Sequence, residues 1–139
     1  MAGRSDTDIL EGLLFTEQRL VSAYEAALRR GAIDPGLARD LLAQEREHAR
    51  ALLKTLGGGE DRKPRAGVPS PELTGALRSR EAFARFALKL EAAAVAAYAE
   101  AAANIRDAKL RQPLGSIMAC EAAHEVVLRD ALGERPLVD

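Results

Sequence analysis

Both histidines of this chain close a Glu-x-x-His motif, Glu45-Arg46-Glu47-His48 and Glu121-Ala122-Ala123-His124. Each motif follows a segment in which a glutamate precedes a tyrosine by seven residues, Glu17 to Tyr24 and Glu91 to Tyr98, and the chain has no other tyrosine. Residues three apart on a helix share a face. Each Glu-x-x-His pair can therefore hold one metal ion jointly, while Glu17 and Glu91 arrive from two other helices. Four carboxylates and two imidazoles at this spacing form a ligand set for two metal ions in the core of a four-helix bundle. Some carboxylates must bridge, since four cannot give each ion a full set of its own. Carboxylate plus imidazole suits iron, manganese or zinc and offers no soft ligand for Cu(I).

The positions of these six residues carry more weight than their types. All six interrupt otherwise apolar helical stripes. Four carboxylates buried together without cations must each take up a proton or find a partner. Two divalent cations supply +4 against those four charges. A single Glu-x-x-His is a weak signal, because both residues are common on exposed helices. Two copies that use every histidine, in register with two further inward glutamates, are much harder to read as surface. The competing reading is a bundle whose glutamates and histidines share protons in a polar core.

Tyr24 and Tyr98 lie two turns beyond Glu17 and Glu91 on the same stripes. Their hydroxyls can hydrogen-bond the carboxylates of the opposite hairpin, donate electrons, or simply complete an aromatic core. Cys120 immediately precedes Glu121 and so points about 100° away from it; it is expected to be a packed small residue. Glu25, Glu47 and Glu100 are expected on the solvated surface, with Glu125 at the border of the site. The run 61–65 is rich in charge and reads as a solvated loop. Nothing resembles a phosphate-binding glycine loop, and no Ser/His/Asp or Cys/His arrangement remains once both histidines are committed.

Four helices must position these groups. Periodicity predicts helices over about 6–30, 34–56, 80–104 and 107–132. The first carries Leu10, Leu13, Leu14, Glu17, Leu20, Val21, Tyr24 and Leu28 on one stripe; Ser5 or Asp6 can cap it and Gly31 can end it. The second opens at Asp34-Pro35, a capping residue followed by proline at the first helical position. Its stripe is Leu37, Leu41, Glu45, His48, Leu52 and Leu53. The third aligns Phe83, Ala87, Leu90, Glu91, Ala94, Val95, Tyr98, Ala102 and Ile105. The fourth aligns Leu110, Leu114, Ile117, Glu121, His124, Leu128 and Leu132. Pro113 lies inside it, so the regular part starts there or the helix kinks.

Between the second and third helices, residues 57–79 are dominated by glycine, proline and charge, and a helical turn over about 71–77 fits the pattern. A link of this length can run the ~33 Å of a 22-residue helix. The expectation is an all-α, antiparallel four-helix bundle, two helical hairpins joined by a long crossover, in a single domain over 1–139. The hairpins form an internal repeat. Glu17 to Glu91 and Tyr24 to Tyr98 are 74 positions apart, and Glu45 to Glu121 and His48 to His124 are 76 apart. The second hairpin turn is therefore expected to be two residues longer.

Composition narrows the partners. The formal net charge is −1, so no global basic character points to nucleic acid or an anionic membrane. No stretch approaches the ~18 apolar residues of a membrane span, and the first residues carry no apolar run of a secretory signal. One cysteine rules out an intrachain disulfide and any cluster built from several thiolates. A cytoplasmic location is the default expectation, and an alanine-rich bundle of this kind is expected to form a homodimer.

On Glu17, Glu45-x-x-His48, Glu91 and Glu121-x-x-His124, echoed by Tyr24 and Tyr98, the sequence resembles the ferritin-like superfamily. Its motifs are similar to those of the rubrerythrin and ferritin-like di-iron carboxylate proteins, and the resemblance covers 6–132. It implies that Glu17, Glu45, His48, Glu91, Glu121 and His124 are the metal ligands, with Glu45 and Glu121 bridging. It also implies a bundle with one long crossover. A full rubrerythrin would add a rubredoxin-like module with four cysteines, which one cysteine cannot supply, and cage-forming ferritins usually carry a longer chain. The leading expectation is a di-iron oxidoreductase that oxidises Fe(II) or reduces dioxygen or peroxide. A dimanganese catalase-like activity would use the same ligands. The alternative from another class is a non-catalytic metal-binding or structural module.

Overall fold

The computed structural model describes residues 3–58 and 70–134. All regular structure among them is helical: α1 (Asp6–Arg30), α2 (Pro35–Thr55), the short α3 (Pro71–Ala76), α4 (Arg80–Asn104) and α5 (Arg111–Ala131), with a 3-10 turn over Ala108–Leu110 ahead of α5. The described part of the chain is thus an all-α helical bundle with four long helices. The charged run 61–65 lies outside the described residues. No helix among the described residues is long and apolar enough to cross a membrane.

Short polar side chains start these helices by taking backbone N–H groups that have no partner within the helix. Ser5 accepts from the Asp8 N–H while Asp8 accepts from the Ser5 N–H, a reciprocal capping box. Asp34 accepts from the Leu37 N–H at 3.0 Å with Pro35 next to it, and Ser79 accepts from the Ala82 N–H. Gly31 ends α1 in the left-handed region at φ 66°, a conformation a side chain would oppose.

The fourth long helix differs from expectation at its start. Asp107 caps the 3-10 turn, its side chain accepting from Lys109, and the α-helix begins at Arg111. The reason is Pro113. A helix regular from 107 would need its missing N–H to bond the carbonyl of Lys109. Beginning at Arg111 puts Pro113 in the first turn, where that bond is not called for.

Side-chain pairs set the helix directions. Glu17 and Tyr24 of α1 meet Tyr98 and Glu91 of α4, in that order, so α1 and α4 run antiparallel. Glu45 and His48 of α2 face His124 and Glu121 of α5, so these are antiparallel too. At one end of the bundle the Asp6 carboxylate accepts from the backbone N–H groups of Arg106 and Asp107, both at 2.9 Å. The α1–α2 link is four residues, 31 to 34, against six, 105 to 110, between α4 and α5. That difference of two accounts for the change in repeat offset from 74 to 76.

The antiparallel order produces two apolar clusters with a polar layer between them. One gathers Leu20, Tyr24, Leu41, Phe83, Ala87 and Leu128. The other gathers Leu10, Leu13, Leu52, Tyr98, Ile105 and Leu114. Burying a leucine such as Leu20 contributes roughly 1.5–3 kcal/mol, so these clusters stabilise the bundle on either side of the polar layer. Alanines at 84, 87, 94 and 101 form much of the buried face of α4. Glu17, Glu45, Glu91 and Glu121, with His124, are the buried polar residues among those described.

Candidate metal centre

Every carboxylate expected in the site is fully shielded from solvent: Glu17, Glu45, Glu91 and Glu121 are each 0% exposed. One comes from each long helix, α1, α2, α4 and α5. His48 and His124 sit one turn beyond Glu45 and Glu121, and their rings stack with centroids 6.3 Å apart.

Both imidazoles turn Nδ1 towards the carboxylates. His48 Nδ1 lies 3.1 Å from Glu121 Oε1, 3.2 Å from Glu45 Oε2 and 3.8 Å from Glu17 Oε2. His124 Nδ1 lies 2.9 Å from Glu45 Oε1, 3.1 Å from Glu121 Oε2 and 3.3 Å from Glu91 Oε1. Two groups result, Glu17/Glu45/His48/Glu121 and Glu45/Glu91/Glu121/His124. Within each, one donor atom per residue lies within 4.8 Å of all the others. Glu45 and Glu121 belong to both groups; Glu17 and His48 to one, Glu91 and His124 to the other.

The donor atoms converge without satisfying one another. Glu17 Oε2, Glu45 Oε1, Glu91 Oε2, Glu121 Oε2 and His124 Nδ1 are buried with no hydrogen-bond partner. His124 Nδ1 and Glu45 Oε1 are close enough to attract, yet misaligned for a hydrogen bond. Unpaired buried polar atoms are costly and uncommon in folded proteins. Here each of the four carboxylates that make up the two groups has one such atom.

Tyrosines hold the other oxygens of the two unshared glutamates. Tyr24 Oη donates to Glu91 Oε1 at 2.5 Å, and Tyr98 Oη donates to Glu17 Oε1. Both tyrosines are fully buried, and burial together with the facing carboxylate keeps each phenol protonated far beyond its ordinary range.

The same enclosure sets the charges. Burial pushes the Glu17 carboxyl up to about 9, with Glu121 and Glu45 adding to the effect. Burial likewise pushes Glu91 up to about 8. For Glu121, burial is outweighed by His124 and His48, and its pKa falls to about 2. Burial would also lower the histidines, but the carboxylates around them prevail: His124 is pushed up to about 12 and His48 is raised as well. Both imidazoles and the Glu17 and Glu91 carboxyls therefore favour their protonated forms near neutral pH.

The surrounding acidic residues divide as follows. Glu25 pairs with Arg46 at 2.8 Å, and Glu47 and Glu100 are exposed. Glu125 is half-buried and belongs to neither group. Cys120 is half-buried and belongs to neither donor group, but it reaches a site residue: its Sγ lies 3.5 Å from His124 Nε2 and donates to Gln44 Oε1 at 3.1 Å. Residues four apart share a helix face, so Cys120 lies against His124 although it points away from Glu121.

Gln44 is the residue the sequence did not single out. Its Oε1 sits 2.9 Å from His124 Nε2, on the side of the ring away from the carboxylates. The available signal was the repeat. Gln44 precedes Glu45 as Cys120 precedes Glu121, but the two side chains differ, and an exposed glutamine reads as surface.

The donor set fits two divalent cations: four carboxylates and two imidazole Nδ1 atoms, arranged as two groups with two shared members. The sequence model of the family described as ferritin-like domain covers residues 5–134. No curated protein and no solved structure matches the chain.

Proposed function

The chain belongs to the ferritin-like domain family, and on that premise we propose that it binds two metal ions, iron first among them, and oxidises Fe(II) or reduces dioxygen or peroxide. The observation that carries the reading is the set of five buried donor atoms, at least one from each of the four helices, that converge without partners. Cations of charge +2 would satisfy all of them at once and balance the four carboxylates.

In this reading Glu17 and His48 serve one ion and Glu91 and His124 the other. Glu45 and Glu121, members of both groups, would be shared between them. A di-iron pair supplies the electrons that dioxygen or peroxide takes up. The chain's own residues fix the donors and keep water out. Tyr24 and Tyr98 hold Glu91 and Glu17 in place, with Glu91 Oε1 also 3.3 Å from His124 Nδ1 and the free Glu17 Oε2 turned towards His48. The apolar clusters on either side keep the donors dry, which strengthens every electrostatic interaction among them.

Anaerobic addition of Fe(II) to the metal-free protein, followed by air or peroxide, tests this. The expected result is two iron ions per chain, an absorption band of an oxidised di-iron pair, and repeated turnover when a reductant is supplied. Two ions bound without oxidation would leave a non-catalytic metal-binding module. Failure to retain iron, manganese or zinc would return the layer to a proton-sharing polar core.

A further inference from the structure

The two halves of the site are related by the hairpin repeat, and their ligands match one for one: Glu17 with Glu91, Glu45 with Glu121, His48 with His124. The residues behind the two histidines do not match. Gln44 Oε1 stands 2.9 Å from His124 Nε2. The repeat places Cys120 in the corresponding position for His48. A cysteine side chain is two heavy atoms shorter than glutamine and its sulfur is a weak acceptor. Its thiol is instead turned towards Gln44 and His124. The polar contacts of His48 among the described residues all run through Nδ1. Enclosure differs in the same sense, since the His48 side chain is 12% exposed and that of His124 4%.

Resting on the di-metal reading above, we propose that Gln44 is a positioning residue that makes the two metal positions unequal, so that the Glu45/Glu91/Glu121/His124 position fills first and the Glu17/Glu45/His48/Glu121 position second. Gln44 Oε1 accepts from the Cys120 thiol and, as the acceptor facing His124, fixes the imidazole proton on Nε2. Nδ1, which faces the carboxylates, is then the nitrogen whose lone pair an entering metal takes up in place of a proton. An imidazole held this way is a better ligand, because it needs no reorientation and its basicity is raised by the acceptor behind it. His48 has no such carbonyl from the repeat-related position, and among the described residues it is held through Nδ1 alone.

Calorimetric titration of the metal-free full chain with Co(II) reads this directly. Two separate binding steps are expected. Glu17→Ala should preserve the tighter step and Glu91→Ala should abolish it. Gln44→Leu, which keeps volume and removes the acceptor, should weaken the tighter step about tenfold and leave the weaker one unchanged. Cys120→Gln, which restores the repeat at the other half, should tighten the weaker step. Long-range ¹H–¹⁵N spectra of the Zn(II)-loaded protein add a readout of position rather than affinity: the His124 Nε2 proton should be slow to exchange in the parent chain and fast in Gln44→Leu.

Two ions bound with equal affinity, or a tighter step that survives Glu91→Ala, would overturn the inequality while leaving the di-metal reading intact. Unchanged affinities in both Gln44→Leu and Cys120→Gln would overturn the role of Gln44. A folded parent chain that takes up no Co(II), Fe(II) or Zn(II) would sink the di-metal reading, and the ordering with it.

Discussion

Tyr24 and Glu91 are 67 residues apart in sequence and joined by a buried 2.5 Å hydrogen bond between the two hairpins. The repeat-related pair, Tyr98 and Glu17, makes the same bond in the opposite direction across the bundle. Each hairpin thus supplies the donor that fixes a carboxylate of the other. The site cannot be assembled within one hairpin, and the docking of α1 on α4 is tied to the placement of the ligands.

Tyr24→Phe should therefore act on stability and on metal binding together. It removes the donor to Glu91 Oε1 and leaves that oxygen buried without a partner, a loss of about 1–3 kcal/mol. Denaturant unfolding of the metal-free protein measures the first effect. In the loaded protein the Glu91 carboxylate is no longer held by Tyr24, so metal should be lost from one position more readily than from the other. A variant with unchanged stability and unchanged metal retention would mean that Tyr24 is only an aromatic core residue.

Shared and unshared ligands should separate by stoichiometry. Glu45 and Glu121 belong to both donor groups, whereas Glu17 belongs to one. Glu17→Ala should leave about one ion per chain, because the other group keeps all four of its residues. Glu45→Ala should lower occupancy at both positions. Metal content by mass spectrometry after dialysis decides between them, and equal losses in the two variants would contradict the sharing.

Phe83 illustrates what the apolar clusters contribute without touching a metal. It is fully buried and meets the Tyr24 ring edge-on, with centroids 5.9 Å apart. Phe83→Ala should cost about 3–5 kcal/mol through lost contact and the cavity left behind. Thermal unfolding measures that loss. Metal stoichiometry in the folded fraction should stay at the parent value, since no donor atom is removed.

The helices and the six converging residues were legible because they depend on local chemistry and on period. Asp34-Pro35 marks the start of α2 through a cap and a preset φ, and Glu17, Glu45, Glu91 and Glu121 stand out as charges on apolar stripes. The start of α5 was less legible. Asp107 is a good capping residue, but it caps a 3-10 turn, and the proline that shifts the helix onset lies six positions further on. The roles of Gln44 and Asp6 were not legible. Gln44 matters only because α5 lies across from it, 80 positions away. Asp6 matters because antiparallel packing brings the end of α4 to it from 100 positions away. The repeat marks the position of Gln44 and capping chemistry that of Asp6, but neither signal gives the role, since each acts through a long-range contact that exists only after the hairpins dock.

The metal-free and metal-loaded proteins should respond to pH in opposite ways. Burial raises Glu17 and Glu91 from 4.5 to about 9 and about 8, so between pH 4.5 and those values the folded state binds more protons than the unfolded chain. The stability they contribute is complete below about pH 4.5 and is lost as pH rises towards 9. His124, raised from 6.5 to about 12 by the carboxylates around it, has the same sign over a higher window: its contribution is complete below 6.5 and drains away above it. Glu121, lowered to about 2, works the other way, and its contribution disappears only as pH falls from 4.5 towards 2. With chelator present, the unfolding midpoint should therefore fall steadily from pH 6 to pH 9. With Zn(II) or Mn(II) in excess the trend should flatten or reverse, because the metals replace the protons on Glu17, Glu91 and both imidazoles, and their binding tightens as those protons become easier to remove. Thermal unfolding at a series of pH values, with and without metal, measures both curves. Parallel curves would mean that metal binding does not displace these protons, and would place the ions somewhere other than this layer.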